Sequence, residues 1–215
     1  PVSEKLTDLK PETSTGLNMG AQYDPSEKIK TRINFFRNDI SNLILTDVIA
    51  YKTNGGQIFS YFNISRAYTQ GLETEASWQL NKSFNLAGGY QFLMTEDKDV
   101  LDAIADGKMY KRDEQTGISS LLTRQEYAGL PGRSKHMINL KLFYESPSRE
   151  WFGTARAIYR SRFGITDIDG NGVINRDDEF ADGYMQLNVS GGRNFARGIR
   201  IMAGVDNVLN YTDPE

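Results

Sequence analysis

The feature that most constrains this chain is an alternation of apolar and polar residues with period two, repeated almost from end to end. Successive side chains of an extended strand point to opposite faces, so such alternation describes sheets with one apolar and one polar face. Leu17, Met19, Ala21 and Tyr23 alternate with Asn18, Gly20 and Gln22, and Ile29, Thr31, Ile33 and Phe35 with Lys30, Arg32 and Asn34. Leu72, Thr74, Ala76, Trp78 and Leu80 alternate with Glu73, Glu75, Ser77 and Gln79, and Leu86, Gly88, Tyr90 and Phe92 with Asn85 and Gln91. The pattern continues through Ile138 to Tyr144, Trp151 to Arg160, Met185 to Ser190 and Ile199 to Asp206, which makes eight strands. Helical spacing is confined to a short candidate near Val100 to Ala105.

The connections come in two alternating sizes. Short turns fall at Asp24 to Glu27, Asn81 to Ser83, Glu145 to Arg149 and Phe195 to Gly198, whereas residues 45–60, 96–132 and 164–183 read as long loops. Sorting of this kind is the outer-membrane barrel arrangement, with tight periplasmic turns and long extracellular loops. The mean hydropathy of -0.52 does not oppose it, because a spanning strand needs only about 9–11 residues and only alternate ones face lipid. No stretch approaches the roughly 20 apolar residues of a membrane helix.

With 25 basic and 28 acidic residues the chain has no basic surplus for nucleic acid. The absence of cysteine excludes disulfides and thiolate metal sites. The opening PVSEKLTDLKPETS lacks the apolar core of a signal peptide, so an exported protein would carry one upstream, and the chain reads as part of something longer.

Tyr23, Phe35, Trp78, Phe84, Tyr144 and Trp151 are expected beside the short turns as an interfacial aromatic girdle. Lys30, Arg32, Glu73, Glu75, Lys141, Arg156, Arg160, Arg162 and Arg200 are expected on the opposite face, inside the barrel. Glu73 and Glu75 stand two residues apart on one strand, but nothing assembles a catalytic constellation around them, and no enzyme activity is expected. His136, the single histidine, lies among apolar-facing positions at a strand start and reads as an interfacial polar residue rather than a metal or haem ligand.

Several segments resemble the C-terminal half of the barrel of TonB-dependent receptors: LKPETSTGLNMGAQYD, KIKTRINFFRNDISNLI, YFNISRAYTQGLETEASWQL, LPGRSKHMINLKLFYE and VDNVLNYTDPE, in that order. The resemblance covers essentially residues 1–215. It implies an all-β antiparallel transmembrane barrel fragment, about eight strands of a larger plugged barrel, with the plug domain and the final strand outside this chain. It also implies a Gram-negative outer-membrane location and energy-coupled uptake of a scarce nutrient such as an iron chelate, haem, cobalamin or a glycan. The partners implied are membrane lipid, a TonB-type energy-coupling protein engaged through the N-terminal part, a small-molecule or glycan ligand, and a surface lipoprotein. Substrate contacts are expected from long loops such as Asp97 to Tyr127.

The sharpest local motif is DIDGNGVINRDD, from Asp167 to Asp178. It matches the twelve-residue calcium loop, with Asp167, Asp169, Asn171, the Val173 carbonyl, Asn175 and Asp178 as ligands, Gly172 at the sharp turn and Ile174 at the usual apolar position. The twelfth position holds Asp where Glu is usual, so a weaker site or a substitute ligand at Glu179 is expected. The flanks read as strand, not as a helix pair. Bound calcium would be structural, fixing an extracellular loop.

Two rivals remain open from the sequence. A complete eight-strand barrel would close by itself, although DNVLNYTDPE ends on the long-loop side, whereas both termini of an even-stranded barrel normally lie in the periplasm. A secreted calcium-stabilised β-sandwich binding module would pack its apolar faces together, but has no reason to sort its loops.

Overall fold

The computed structural model describes residues 9–53, 55–113 and 116–212. In chain order the elements are β1 (Thr13–Ser26), β2 (Ile29–Tyr51), β3 (Gln57–Gln79), β4 (Phe84–Asp97), helix α1 (Lys98–Ala105), β5 (Tyr110–Arg112) and β6 (Ser119–Leu121). They continue with β7 (His136–Glu145), β8 (Trp151–Arg160), β9 (Phe163–Gly164), β10 (Phe180–Ala181), β11 (Tyr184–Asn194) and β12 (Arg200–Val205). Eight of the strands form one antiparallel sheet in the order β1-β2-β3-β4-β7-β8-β11-β12. The small pairs β5–β6 and β9–β10 lie in the two longest connections. No described helix is long and apolar enough to cross a membrane.

The register turns the alternation into two distinct surfaces. Met19 pairs with Phe35, Phe35 with Leu72, Leu72 with Phe92 and Phe92 with His136, so these residues form one row across five strands. A second row runs Ala21, Ile33, Thr74, Tyr90, Ile138, Tyr159 and Met185, and a third runs Ile29, Trp78, Leu86, Leu142, Ala155, Val189 and Val205. All three rows share one face. Its large apolar side chains are exposed, Leu17 at 68% and Leu140 at 49%, with no second layer over them among the described residues. Such a face requires an apolar solvent, and a bilayer supplies it.

The short turns are built by local polar groups. Asn81 Oδ1 accepts the N–H groups of Ser83 at 2.8 Å and Phe84 at 3.0 Å, closing the β3–β4 turn. The β7–β8 turn closes through Ser146, whose backbone N–H donates to the Trp151 carbonyl while its Oγ accepts the Trp151 N–H. At the β11–β12 turn Arg197 takes φ 64° and Gly198 φ 77°, a left-handed pair in which Arg197 carries the strain.

Two expectations need correction. Residues 45–60 are not a long loop: β2 continues to Tyr51 and β3 resumes at Gln57, so the hairpin stands far above the apolar rows. Each of these strands has 23 residues, roughly 75 Å at about 3.3 Å per residue, against about 30 Å of hydrocarbon. Phe35, expected beside a short turn, pairs instead with Met19 and Leu72 and shares its row with Phe92 and His136. It belongs to the far edge of the apolar belt, about 20 Å along the strand from the turn. The girdle at the turn end is formed by Tyr23, Trp78, Phe84, Tyr144 and Trp151, with Phe84 and Tyr144 ring centroids 5.0 Å apart.

Candidate functional site

Three regions carry chemistry: the polar face of the sheet, a charged cluster above the belt, and the loop between β8 and β11. On the polar face Glu73 accepts from Gln91 Nε2 at 2.9 Å and from Asn34 Nδ2 at 3.5 Å, and Arg156 Nε donates to Asn139 Oδ1 at 3.0 Å. Gln22, Lys30, Arg32, Glu75, Asn139 and Lys141 line an open depression of about 390 Å³ on this face. Arg200 stacks its guanidinium 3.7 Å from the Phe152 ring centroid. Arg162, expected with these residues, lies past the end of β8, over Phe180 and 3.0 Å from Asp177. Here the strand has ended and alternation no longer sets direction. Among these groups the arrangement is a hydrogen-bonded polar lining with no nucleophile and base in contact.

The second cluster was not legible from the sequence, because the register of three strands and a loop assembles it. Arg37 lies 2.9 Å from Asp39, which also binds Lys98 at 2.5 Å, and Arg37 stacks over Tyr68 at 4.3 Å. The Tyr68 hydroxyl donates to Glu96, which Arg124 meets at 2.8 Å. These residues lie on the same side as the lipid-facing rows but beyond them, where the strands have left the hydrocarbon.

The acidic loop is folded tightly around its own carboxylates. Asp167 accepts the N–H groups of Gly170 at 2.8 Å and Gly172 at 2.7 Å; Asp169 accepts that of Asn171 at 3.2 Å, and Asn171 Oδ1 that of Val173 at 3.0 Å. Gly170 at φ 73° and Gly172 at φ 89° supply the left-handed turns that let these side chains converge. Of the residues singled out by spacing, Asp167 and Asp169 are brought together, and Glu179 completes a triad whose carboxylate oxygens lie within 4.8 Å of one another.

Asp178 lies outside the triad, exposed and 2.7 Å from Arg176. The reason is the single 3-10 turn Asp177–Glu179, which carries Glu179 inward. Asn175 Oδ1 accepts a hydrogen bond from Asn171 Nδ2 at 2.8 Å, and the same Nδ2 reaches the Tyr110 carbonyl at 3.2 Å.

Glu179 is fully buried. Burial alone would raise its pKa, but the N–H groups of Arg176, Asn175, Ile168 and Asp169 together hold it below the ordinary carboxylate value. Asp169 goes the other way: burial, with Glu179 and Asp167 beside it, pushes its carboxyl up despite the Asn171 N–H.

The loop also packs. Val173 and Ile174 are each 4% exposed, with Leu130 buried beside them, and the Ile174 carbonyl accepts the Ala128 N–H at 3.1 Å. A cavity of about 200 Å³ separates Val173, Ile174 and Leu130 from Leu45, Phe62 and Ile64 of the tall hairpin.

The description that this geometry suggests is matched by a family model, "TonB dependent receptor-like, beta-barrel", over residues 3–208. The chain belongs to the TonB-dependent receptor barrel family. Members of this family are barrels of the Gram-negative outer membrane, transport receptors and not enzymes, so the exposed apolar rows of this chain are a lipid face and its polar rows an inner wall. The family match also removes the sandwich rival.

Solved structures share the fold. The copper transporter OprC superposes with a TM-score of 0.67 at 20% identity, covering 96% of this chain and 27% of that one. The ferric enterobactin receptor PfeA of Pseudomonas aeruginosa gives 0.61 at 16% identity, covering 94% and 26%. The siderophore receptor PirA of the same organism gives 0.58 at 15%, covering 95% and 28%. The chain therefore spans about a quarter of the length of the solved chains it matches. No curated protein matches it in sequence.

Proposed function

We propose that this sheet is part of the wall of an energy-coupled receptor that carries a scarce nutrient, such as an iron chelate, haem, cobalamin or a glycan, into the periplasm. The observation that carries the reading is the pairing of an unbroken lipid-facing belt with a hydrogen-bonded polar wall, where Glu73, Gln91, Asn34, Asn139 and Arg156 are arranged to meet a wet or protein-filled interior. β1 and β12 each have a partner on one side only among the described residues. Unpaired strand edges in lipid cost several kcal/mol per backbone group, so further strands of a larger barrel are expected against both. Copper in the name of OprC, ferric enterobactin in that of PfeA and siderophore in that of PirA support a metal or metal-chelate cargo. A TonB-type coupling protein and, above the loops, a surface lipoprotein are the partners in this reading.

The test is growth of the Gram-negative host lacking the gene for this receptor, on media limited for one nutrient at a time: ferric chelates, copper, haem, cobalamin or glycans. Loss of growth on one of them, reproduced by disrupting the coupling protein, is the expected result. Unchanged growth and unchanged uptake of every labelled nutrient overturns the proposal.

A further inference from the structure

We propose that the loop between β8 and β11 is a calcium site whose third carboxylate is Glu179 and not Asp178. The cluster alone would not establish a cation. What points to one is Asp169: its side chain is 9% exposed, its Oδ2 is buried and accepts no hydrogen bond, and the carboxylate lies in the triad with Asp167 and Glu179. The Arg176 guanidinium comes no nearer to that oxygen than 3.9 Å and is committed at 2.7 Å to Asp178. A desolvated carboxylate within 4.8 Å of two others, with its cationic neighbour only at 3.9 Å, carries an electrostatic penalty. A hard divalent ion removes it.

The donors are all oxygen, which suits calcium rather than a nitrogen- or sulfur-seeking metal. The backbone N–H groups that hold Asp167, Asp169, Asn171 and Glu179 fix their directions in advance. In the twelve-residue spacing Asn171 Oδ1, the Val173 carbonyl and Asn175 Oδ1 are the next ligands, each amide oxygen keeping a free lone pair beside the one hydrogen bond it accepts. Because the Asn171 amide also holds the Tyr110 carbonyl, and Ile174 holds Ala128, a cation here fastens the β8–β11 loop to the β4–β7 loop. Sites on extracellular modules work at roughly 10⁻⁴–10⁻³ M, so a shallow, exchangeable site is sufficient.

The experiment counts bound ⁴⁵Ca²⁺ by flow dialysis on the whole receptor, purified in detergent and stripped with chelator. Hydrogen exchange over residues 164–183 is measured on the wild type in calcium and in magnesium. D169N is expected to bind one calcium fewer per chain than the wild type, D178N the same number, and calcium alone is expected to slow exchange in the loop at least tenfold. Equal stoichiometry in D169N and wild type, or no calcium-dependent protection, overturns the site. Loss of the ion in D178N as in D169N overturns the assignment of Glu179. E179Q is a poorer probe, since Glu179 is fully buried and organises the loop backbone. Should D169N fail to reach the membrane, the wild-type exchange comparison decides.

Discussion

The membrane-level sheet and the loop cluster above it treat the same residue types in opposite ways. In the sheet Leu17, Met19, Leu140 and Ile201 stand exposed on one face. In the loops Leu122, Leu130, Val173 and Ile174 are withdrawn from solvent, and the last three line one cavity. The difference is the medium. A sheet bathed in hydrocarbon gains nothing by covering its apolar face, whereas loops in water must build a core or remain disordered, since ordering each residue costs about 1–2 kcal/mol. One chain therefore holds two kinds of stability: backbone pairing with lipid contact below, and a small aqueous core with polar clips above.

The strongest way to break this comparison is L140R. Leu140 pairs with Gly88 and Ala157 in the middle of the lipid face, so arginine there should destabilise the folded barrel by about 2–4 kcal/mol. Refolding of the full receptor into vesicles, followed by heat-modifiable gel migration, reads this out. If the face were watered, the change would be nearly neutral.

Next in size is I174A. Truncating this buried side chain should cost the loop about 2–4 kcal/mol of local stability, seen as faster hydrogen exchange in residues 106–132 and 164–183 with unchanged exchange in β7 and β8. Loss of protection in the sheet as well would show that the two regions are one cooperative unit.

These contrasts explain what the sequence discloses and what it hides. Alternation exposes a strand only where its two faces meet different media, so the membrane portions of all eight sheet strands are readable, from Leu17 to Val205. Above the belt Arg37 and Asp39 follow Ile33 and Phe35 on the same face, the period fades, and the upper halves of β2 and β3 read as loop although their pairing continues. The helix legible near Val100 to Ala105 is observed over Lys98–Ala105, where Asp97 caps it, accepting the Asp99 N–H at 2.8 Å. In the acidic loop the twelve-residue spacing finds Asp167 and Asp169 and puts Asp178 at the twelfth position, but one 3-10 turn sends Glu179 inward instead. The Arg37 to Arg124 cluster has no sequence signal at all, since its members are brought together only by register.

A smaller effect sharpens the boundary between the two regions. His136 Nδ1 lies 2.9 Å from the Tyr90 hydroxyl on the lipid-facing side, at the outer edge of the belt, where water is leaving. Y90F should lower stability by about 0.5–1.5 kcal/mol, measured as a shift in urea midpoint for the vesicle-embedded receptor. A larger loss would place the pair deeper in hydrocarbon.

The smallest expected change is a pH effect confined to the upper region. Lys111, with the Thr123 N–H, holds Glu126 at about 2, below its ordinary value. A depressed folded pKa gives stability that is present above the unfolded pKa of about 4.3 and is lost as pH falls toward 2. The pair is partly exposed, so the contribution is modest. Exchange in β5 and β6 should therefore quicken between pH 4 and pH 2, and E126Q should remove that dependence.

The strand order has a consequence for how the wall is made. Every neighbour in the large sheet is also the next sheet strand along the chain, with no crossover. Such a meander is assembled from local contacts, one hairpin docking on the last, and needs little conformational search. The largest exception, ahead of the step from β8 to β11 across residues 161–183, is the step from β4 to β7, where residues 98–135 must be looped out before Phe84 can meet Tyr144. Closing that loop costs about 2 kcal/mol more than closing a tight turn. Pairing of β4 with β7 is therefore the step at which growth of this wall should pause, and the early order of α1 and the β5–β6 hairpin, by shortening the loop, sets how long.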